Sequence, residues 1–228
     1  MKASVIVRPM TEVFSFPEEL RARGLRASFG GRITGVAVSR DKDEALGHLA
    51  EAHHRQVEEL GFAWDDLVLA EQVHGTGVAE VSGPGGPIPG VDGLLTARRG
   101  VLLGIHVADC AAVALVDQRT GALALLHSGR KGSEGGIVGQ ALGQMGETHG
   151  TDPGDVRVAI SPCIRPPHYE IDFVGLIHEQ LRHAGVPDGQ INDCGICTGA
   201  NVSQYYSYRM EQGNTGRMLA LLGWKGEA

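Results

Sequence analysis

Aromatic residues are scarce, at 5% of 228 residues, so the core must be built from Val, Leu, Ile and Ala. Cysteine is scarce too. Four in a chain this long exclude a disulfide-stapled scaffold. Positive charge is in deficit: 20 Lys and Arg stand against 27 Asp and Glu, for a net charge of −7. That excludes a general nucleic-acid or anionic-membrane surface, which needs a basic field. No apolar run approaches the roughly 18 residues of a membrane span. The opening Met-Lys-Ala-Ser-Val-Ile-Val-Arg-Pro has no apolar leader or cleavage site. The expectation is a cytoplasmic protein with reduced thiols. Hydrophobic content of 42% excludes a disordered chain. Glycine is in excess, 34 residues without a Gly-X-Y period, which signals tight turns and close backbone approaches rather than collagen.

Val5-Ile6-Val7, Val13-Phe14 and residues 33–38 read as short strands. Residues 41–61 read as a helix, with Leu46, Leu49, Ala50, Val57 and Leu60 at 3–4 spacing and acidic residues early. Apolar runs at 67–70, 101–107, 112–116, 122–126 and 156–160 read as buried strands between Gly-rich or charged turns. Helices are expected over 137–145 and 172–184, the second closed by Gly185. Residues 205–208 and 218–222 read as short strands, and 83–90 (GPGGPIPG) as loop. The mixed order of elements, with no internal repeat, predicts a single α+β domain with several antiparallel strands.

Three residues with chemical potential lie where apolar runs give way to turns: His74 in Gln72-Val73-His74-Gly75, Cys110 in Ala108-Asp109-Cys110, and His127 in Leu125-Leu126-His127. Two imidazoles and a thiol suffice for a zinc site with one open position. The same trio also suits a cysteine nucleophile with a histidine base. Their gaps of 36 and 17 residues match no compact metal motif. By spacing alone they are equally satisfied strand-end histidines and a small core cysteine. Cys194 and Cys197 form a single CxxC without the second pair a zinc ribbon needs, and Cys163 reads as structural. The Gly-rich segment 129–136, which includes Arg130 and Lys131, precedes a helix and could present N–H groups to phosphate. It lacks the Walker order. Arg209 and Arg217 read as surface arginines unless the fold brings them to the same place.

Taken in order, the motifs resemble a known family. Gln72-Val73-His74-Gly75, Asp92-Gly93-Leu94-Leu95-Thr96, Ala108-Asp109-Cys110 and His127-Ser128-Gly129-Arg130-Lys131-Gly132 follow the pattern of the YfiH-like laccase-domain proteins. That family was long called multicopper polyphenol oxidases. Cys197-Thr198, Tyr206-Ser207-Tyr208-Arg209 and Thr215-Gly216-Arg217 fit the same pattern. The likeness runs from about residue 67 to 222. It implies an α+β fold of layered mixed sheets flanked by helices. It also implies a metal-capable catalytic set of His74, Cys110 and His127, holding zinc or copper. Asp92, Asp109, Arg130, Lys131, Arg209 and Arg217 are carried over as substrate-binding candidates.

The activity implied is that of a purine nucleoside phosphorylase acting on adenosine, inosine, guanosine or methylthioadenosine with phosphate, with adenosine deaminase activity beside it. The alternatives are a member acting in binding or peptidoglycan quality control, and a copper-dependent polyphenol oxidase. The oxidase reading sits poorly with ten histidines of which none form His-x-His. Several positions depart from the pattern. The family's HAGWRG is HSGRKG here, Ala112 replaces a proline, and Ser161-Pro162-Cys163-Ile164 replaces a GPSI-like turn. Ser28-Phe29-Gly30-Gly31 lacks the arginine of Arg-x-Gly-Gly, for which Arg26 or Arg32 is the nearest substitute. Lys131 keeps a charge where the family has arginine, but not the bidentate geometry. These departures imply a divergent member with changed or weakened activity.

Overall fold

The computed structural model describes residues 13–226. Its strands are β1 (Leu25–Phe29), β2 (Leu67–Leu69), β3 (Val78–Glu80), β4 (Gly93–Thr96), β5 (Leu102–Val107), β6 (Ala111–Asp117), β7 (Leu123–Ser128), β8 (Val156–Ile160), β9 (Ile191–Asp193) and β10 (Met218–Trp224). Its α-helices are α1 (Glu18–Ala22), α2 (Lys42–Glu59), α3 (Arg130–Glu134), α4 (Ile137–His149) and α5 (Phe173–Ala184). A four-stranded sheet has the order β1-β10-β5-β2, and a six-stranded sheet the order β3-β4-β7-β6-β8-β9. Both mix parallel and antiparallel pairs, as the α+β expectation required.

The period-two alternation of the strands assigns each face. Leu103, Ile105 and Val107 of β5 and Ala220 and Leu222 of β10 share one apolar cluster with Ala112, Ala114 and Val116 of β6 and Leu123 and Leu125 of β7. The two sheets therefore pack face to face. The opposite face of the smaller sheet, with Leu102, Leu219 and Leu221, is covered by Val57 of α2 and by Phe62. The opposite face of the larger sheet, with Ala111, Val113, Leu115 and Leu126, is covered by α4 and α5 through Ile137, Val138, Met145, Ile177 and Leu181.

Helix ends follow local chemistry. Asp41 caps α2 by accepting from the Glu44 N–H, and Asp172 caps α5 by accepting from the Gly175 N–H. Gly185 ends α5 in the left-handed region at φ 99°.

Four expected strands need comment. Residues 5–7 lie outside the described residues, and Val13-Phe14 is a turn. Residues 33–38 form no strand, because Gly35 at φ 81° turns the chain and the Ile33 N–H bonds the Tyr206 hydroxyl instead of a ladder carbonyl. Residues 205–208 also form no strand. The Tyr205 N–H closes a turn onto the Asn201 carbonyl, and Glu211 N–H closes one onto Ser207. Tyr205 and Tyr206 are fully buried, so they are aromatic for the core and not for a ladder.

Among the described residues no helix is long and apolar enough to cross a membrane. All four cysteines are free thiols. Cys163 is buried, and Cys197 bridges to its backbone while its sulfur accepts from the Arg165 N–H.

Candidate active site

Strand register builds the site. β4 and β7 run antiparallel with Gly93 opposite Leu126, so the next step along the ladder sets Asp92 beside His127. The His127 N–H donates to the Asp92 carbonyl at 2.7 Å. β6 and β7 pair Ala111 with Ser128, so Cys110, one residue before β6, comes to Gly129. That closeness needs a glycine, since a Cβ on Gly129 would overlap the Cys110 sulfur. His74 arrives on the loop after β2 in a left-handed backbone conformation, φ 61°. Gln72 (φ 67°) and Asp109 (φ 85°) share it. Three non-glycine residues in this region, all around one cleft, mark stored backbone strain.

Asp92 is fully buried and holds the arrangement together. One carboxylate oxygen accepts from His127 Nδ1 at 2.8 Å and from the His74 N–H at 2.9 Å; the other accepts from the Gly75 N–H at 2.7 Å. The rings of His74 and His127 meet edge to face at 4.8 Å between centroids. One donor atom from each of His74, Cys110 and His127 lies within 4.8 Å of the others. Among the described residues this is the single cluster of three or more such groups. His74 is exposed, Cys110 half-buried and His127 buried.

The electrostatics couple the trio. Burial alone would raise the Cys110 thiol. The His127 charge and hydrogen bonds from His127 and His74 outweigh burial and bring it down to about 6. Burial would likewise favour neutral His127. The Cys110 and Asp92 charges and the hydrogen bonds to both lift it to about 9. The Asp92 carboxyl, which burial alone would raise, is held below its ordinary value by the bonds from His127, Gly75 and His74. The pair is thus a thiolate facing an imidazolium at neutral pH.

The donor set fits a metal of zinc or copper type: one thiolate, two imidazoles, an open side, and a carboxylate fixing one imidazole from behind. Donors on a tetrahedral zinc sit roughly 3.3–3.8 Å apart, within reach of a small rotation of the exposed His74.

The trio lines a cleft of about 810 Å³, ample for a nucleoside-sized ligand. The sequence-derived candidates Asp109, Arg130, Lys131, Arg209 and Arg217 all border it. Asp92 does not; it lies behind His127. Asp109 is committed internally, accepting from Thr198 Oγ1 and the Arg209 N–H at 2.7 Å each. Arg26 and Arg32 do not stand in for the missing family arginine. Arg26 donates to the Arg21 and Leu25 carbonyls, while Arg32 pairs with Glu211 and lies over the Tyr206 ring.

Lys42, Gln72, His106, Tyr169 and Tyr208 also border the cleft and were missed from sequence. His106 carried one readable signal, a polar residue inside the otherwise apolar run 101–107. A larger groove of about 1190 Å³ runs along α4 and α5, but no cluster of nucleophile or ligand residues faces it.

Two packed mixed sheets with a His-Cys-His cluster at their common end define a class of α+β protein with a thiolate-imidazole site. The chain matches the family described as multi-copper polyphenol oxidoreductase laccase over residues 30–173 and 169–225, and it belongs to that family. It is 30% identical to the purine nucleoside phosphorylase YlmD of Geobacillus stearothermophilus, covering 90% of each chain. It is 32% identical to the purine nucleoside phosphorylase of Deinococcus radiodurans, covering 89% of this chain and 86% of that one. The crystal structure of YlmD from Geobacillus stearothermophilus superposes with a TM-score of 0.80 at 26% identity, over 98% of this chain and 100% of that one.

Proposed function

We propose that this chain is a purine nucleoside phosphorylase whose catalytic set is His74, Cys110 and His127, with adenosine, inosine, guanosine and methylthioadenosine as the candidate nucleosides. The observation that carries the reading is the Asp92–His127–Cys110 relay opening on a cation-lined cleft of nucleoside size. The names of the relatives support it.

In phosphorolysis a phosphate oxygen forms a bond to C1′ of the ribose while the bond from C1′ to the purine nitrogen breaks. The electron pair of that bond leaves with the purine, which takes up a proton. The His127 imidazolium is the donor of that proton, and Asp92 and Cys110 hold its charge in place. Cations bordering the cleft draw phosphate in and hold it against C1′. Asp92 and Asp109 are positioning residues: one aims His127, the other anchors the Arg209 backbone and Thr198.

A zinc or copper ion held by His74, Cys110 and His127 would take the place of the His127 proton and would supply instead a Lewis acid and a bound water of near-neutral pKa, the nucleophile that adenosine deamination needs. One three-donor cluster among the described residues favours this chemistry over a multicopper oxidase, which needs several copper centres.

The test is a panel of purine nucleosides incubated with phosphate and assayed for free base. Phosphate-dependent base release that vanishes in Cys110→Ala is the expected result. No release, or the same release in Cys110→Ala, overturns the proposal.

A further inference from the structure

We propose that the anion subsite of this cleft is formed by Arg217 and Lys42, with His106 beside them, and that its ligand is inorganic phosphate. The basic pair Arg130 and Lys131, which the sequence offered first, does not form it. The identity of the anion as a co-substrate rests on the phosphorylase reading; the site itself rests on the distribution of charge.

Five cations border the cleft: Lys42, Arg130, Lys131, Arg209 and Arg217. Their existing partners sort them. Arg130 is neutralised by Glu134 one helical turn away, Nε to Oε1 at 2.8 Å. Arg209 is neutralised by both oxygens of Glu170, at 3.1 and 3.0 Å, and lies over the Tyr169 ring. Lys131 is exposed on the short helix α3, and among the described residues no hydrogen bond fixes its ammonium, whereas Lys42, equally exposed, is held by the Glu71 carbonyl.

Arg217 is different. It is half-buried, and its hydrogen bonds run from Nη1 alone to the Thr215 and Gly216 carbonyls. Among the described residues no carboxylate pairs with it. Asp109 faces it, but that carboxylate is already engaged by Thr198 and the Arg209 N–H. A guanidinium taken partly out of water without a counter-ion is costly; burial pushes Arg217 below its ordinary value, with Tyr208, Asp109 and Cys110 drawing the other way. An anion in the cleft would remove that cost. Among the described residues Nε and Nη2 have no protein acceptor, and they are the fork that phosphate oxygens match.

Lys42, the first residue of α2, also has no carboxylate partner among the described residues and donates to the Glu71 carbonyl at 3.0 Å. It supplies the point charge that complements a guanidinium fork at phosphate sites. Both cations face His106. Its imidazole is driven well below its ordinary value by burial first, then by the charges of His53, Lys42 and Arg217. Neutral His106 adds a ring nitrogen without adding repulsion.

The surroundings are rigid. Gln72 clamps His106 through both backbone groups, at 2.6 and 2.9 Å. The His53 ring lies 5.2 Å from that of His106, tilted by 38°, and His53 Nε2 bonds the Arg217 carbonyl at 3.2 Å. Cys110 also faces Arg217, so an anion here borders the catalytic trio. The Cys110 charge is met by His127 and does not repel it outright.

The experiment titrates inorganic phosphate into the intact chain by calorimetry. In parallel, it measures separate KM values for phosphate and nucleoside. The variants are Lys42→Met, Arg217→Gln, Arg217→Lys and Lys131→Met, each checked for folding by circular dichroism. Lys42 is exposed, so its variant keeps the test open if Arg217→Gln does not fold. The expected result is phosphate binding weakened roughly 10- to 100-fold in Lys42→Met and Arg217→Gln, and less in Arg217→Lys, with the nucleoside KM within about twofold of wild type. Unchanged phosphate binding in folded Lys42→Met and Arg217→Lys overturns the subsite, as does a loss confined to Lys131→Met. Phosphate binding that depends on Arg217 without any turnover keeps the subsite and removes the phosphorylase reading. Turnover whose phosphate KM ignores Lys42 and Arg217 does the reverse.

Discussion

Replacing Asp92 by asparagine isolates the relay at the centre of the site. The carboxylate accepts three hydrogen bonds, two on the oxygen shared by His127 Nδ1 and the His74 N–H, and one from the Gly75 N–H. An asparagine that keeps its oxygen toward His127 turns an amide N–H₂ against the Gly75 N–H, donor against donor. The opposite flip loses two bonds. Hydrogen bonds to a charged group contribute about 1.5–3 kcal/mol each, so the expected loss of stability is about 2–3 kcal/mol, read by denaturant unfolding. Activity should fall about 10- to 100-fold, the usual cost of disorienting a functional histidine from behind. A substrate-independent assay follows the thiol. With the anion behind His127 gone, its imidazolium is less favoured and stabilises the Cys110 thiolate less. The pH midpoint of iodoacetamide alkylation at Cys110 should move up from about 6 toward the ordinary thiol value of about 8.5. Wild-type stability and an unmoved alkylation midpoint in Asp92→Asn would refute this reasoning.

Three further predictions follow from other parts of the structure. Gly129→Ala places a methyl group on the Cys110 sulfur and should abolish most activity, whereas Gly139→Ala, with open space above it on α4, should stabilise the fold by about 0.5–1 kcal/mol; similar effects from the two would contradict the site geometry. Zinc titrated at pH 7.5 should release between one and two protons: one from His127 (about 9), which still carries it there while Cys110 (about 6) has already lost its own, and part of another from the bound water. Calorimetry in buffers of different ionisation enthalpy reads that count, and no release would break the assignment. His53 is held neutral by burial, which with the repulsion of His54 lowers it to about 4 against the hydrogen bond that its ring makes to the Arg217 carbonyl. The unfolded chain protonates this histidine near 6.5, so about 3 kcal/mol of stability present above that pH is lost as pH falls toward 4; His53→Gln should flatten that part of the stability–pH profile, and an unchanged slope would count against it.

The sequence made the candidate trio visible because strands end where chemistry begins. Apolar runs in β5 and β7 lead into Cys110 and His127, which singled them out by position but did not set them apart from satisfied strand-end residues. What it could not supply was register. Only the pairing of Gly93 with Leu126 and of Ala111 with Ser128 sets Asp92 behind His127 and Cys110 against Gly129. The resemblance to the laccase-domain family carried the trio where spacing did not. Lys42 and His106 were invisible for the same reason: one opens a helix that packs on the smaller sheet, and the other lies on that sheet's helix-covered face. The failed strands at 33–38 and 205–208 show the converse. β-branched and aromatic residues mark burial as much as ladder pairing, and Tyr205 and Tyr206 spend their rings in the core.

The most direct measurement of the central claim is the stoichiometry of inosine breakdown with and without inorganic phosphate. The expected products are hypoxanthine and ribose 1-phosphate in equal amounts, strictly dependent on phosphate and lost in His127→Ala and Cys110→Ala. Free ribose produced regardless of phosphate, or product formation that survives both substitutions, would contradict it.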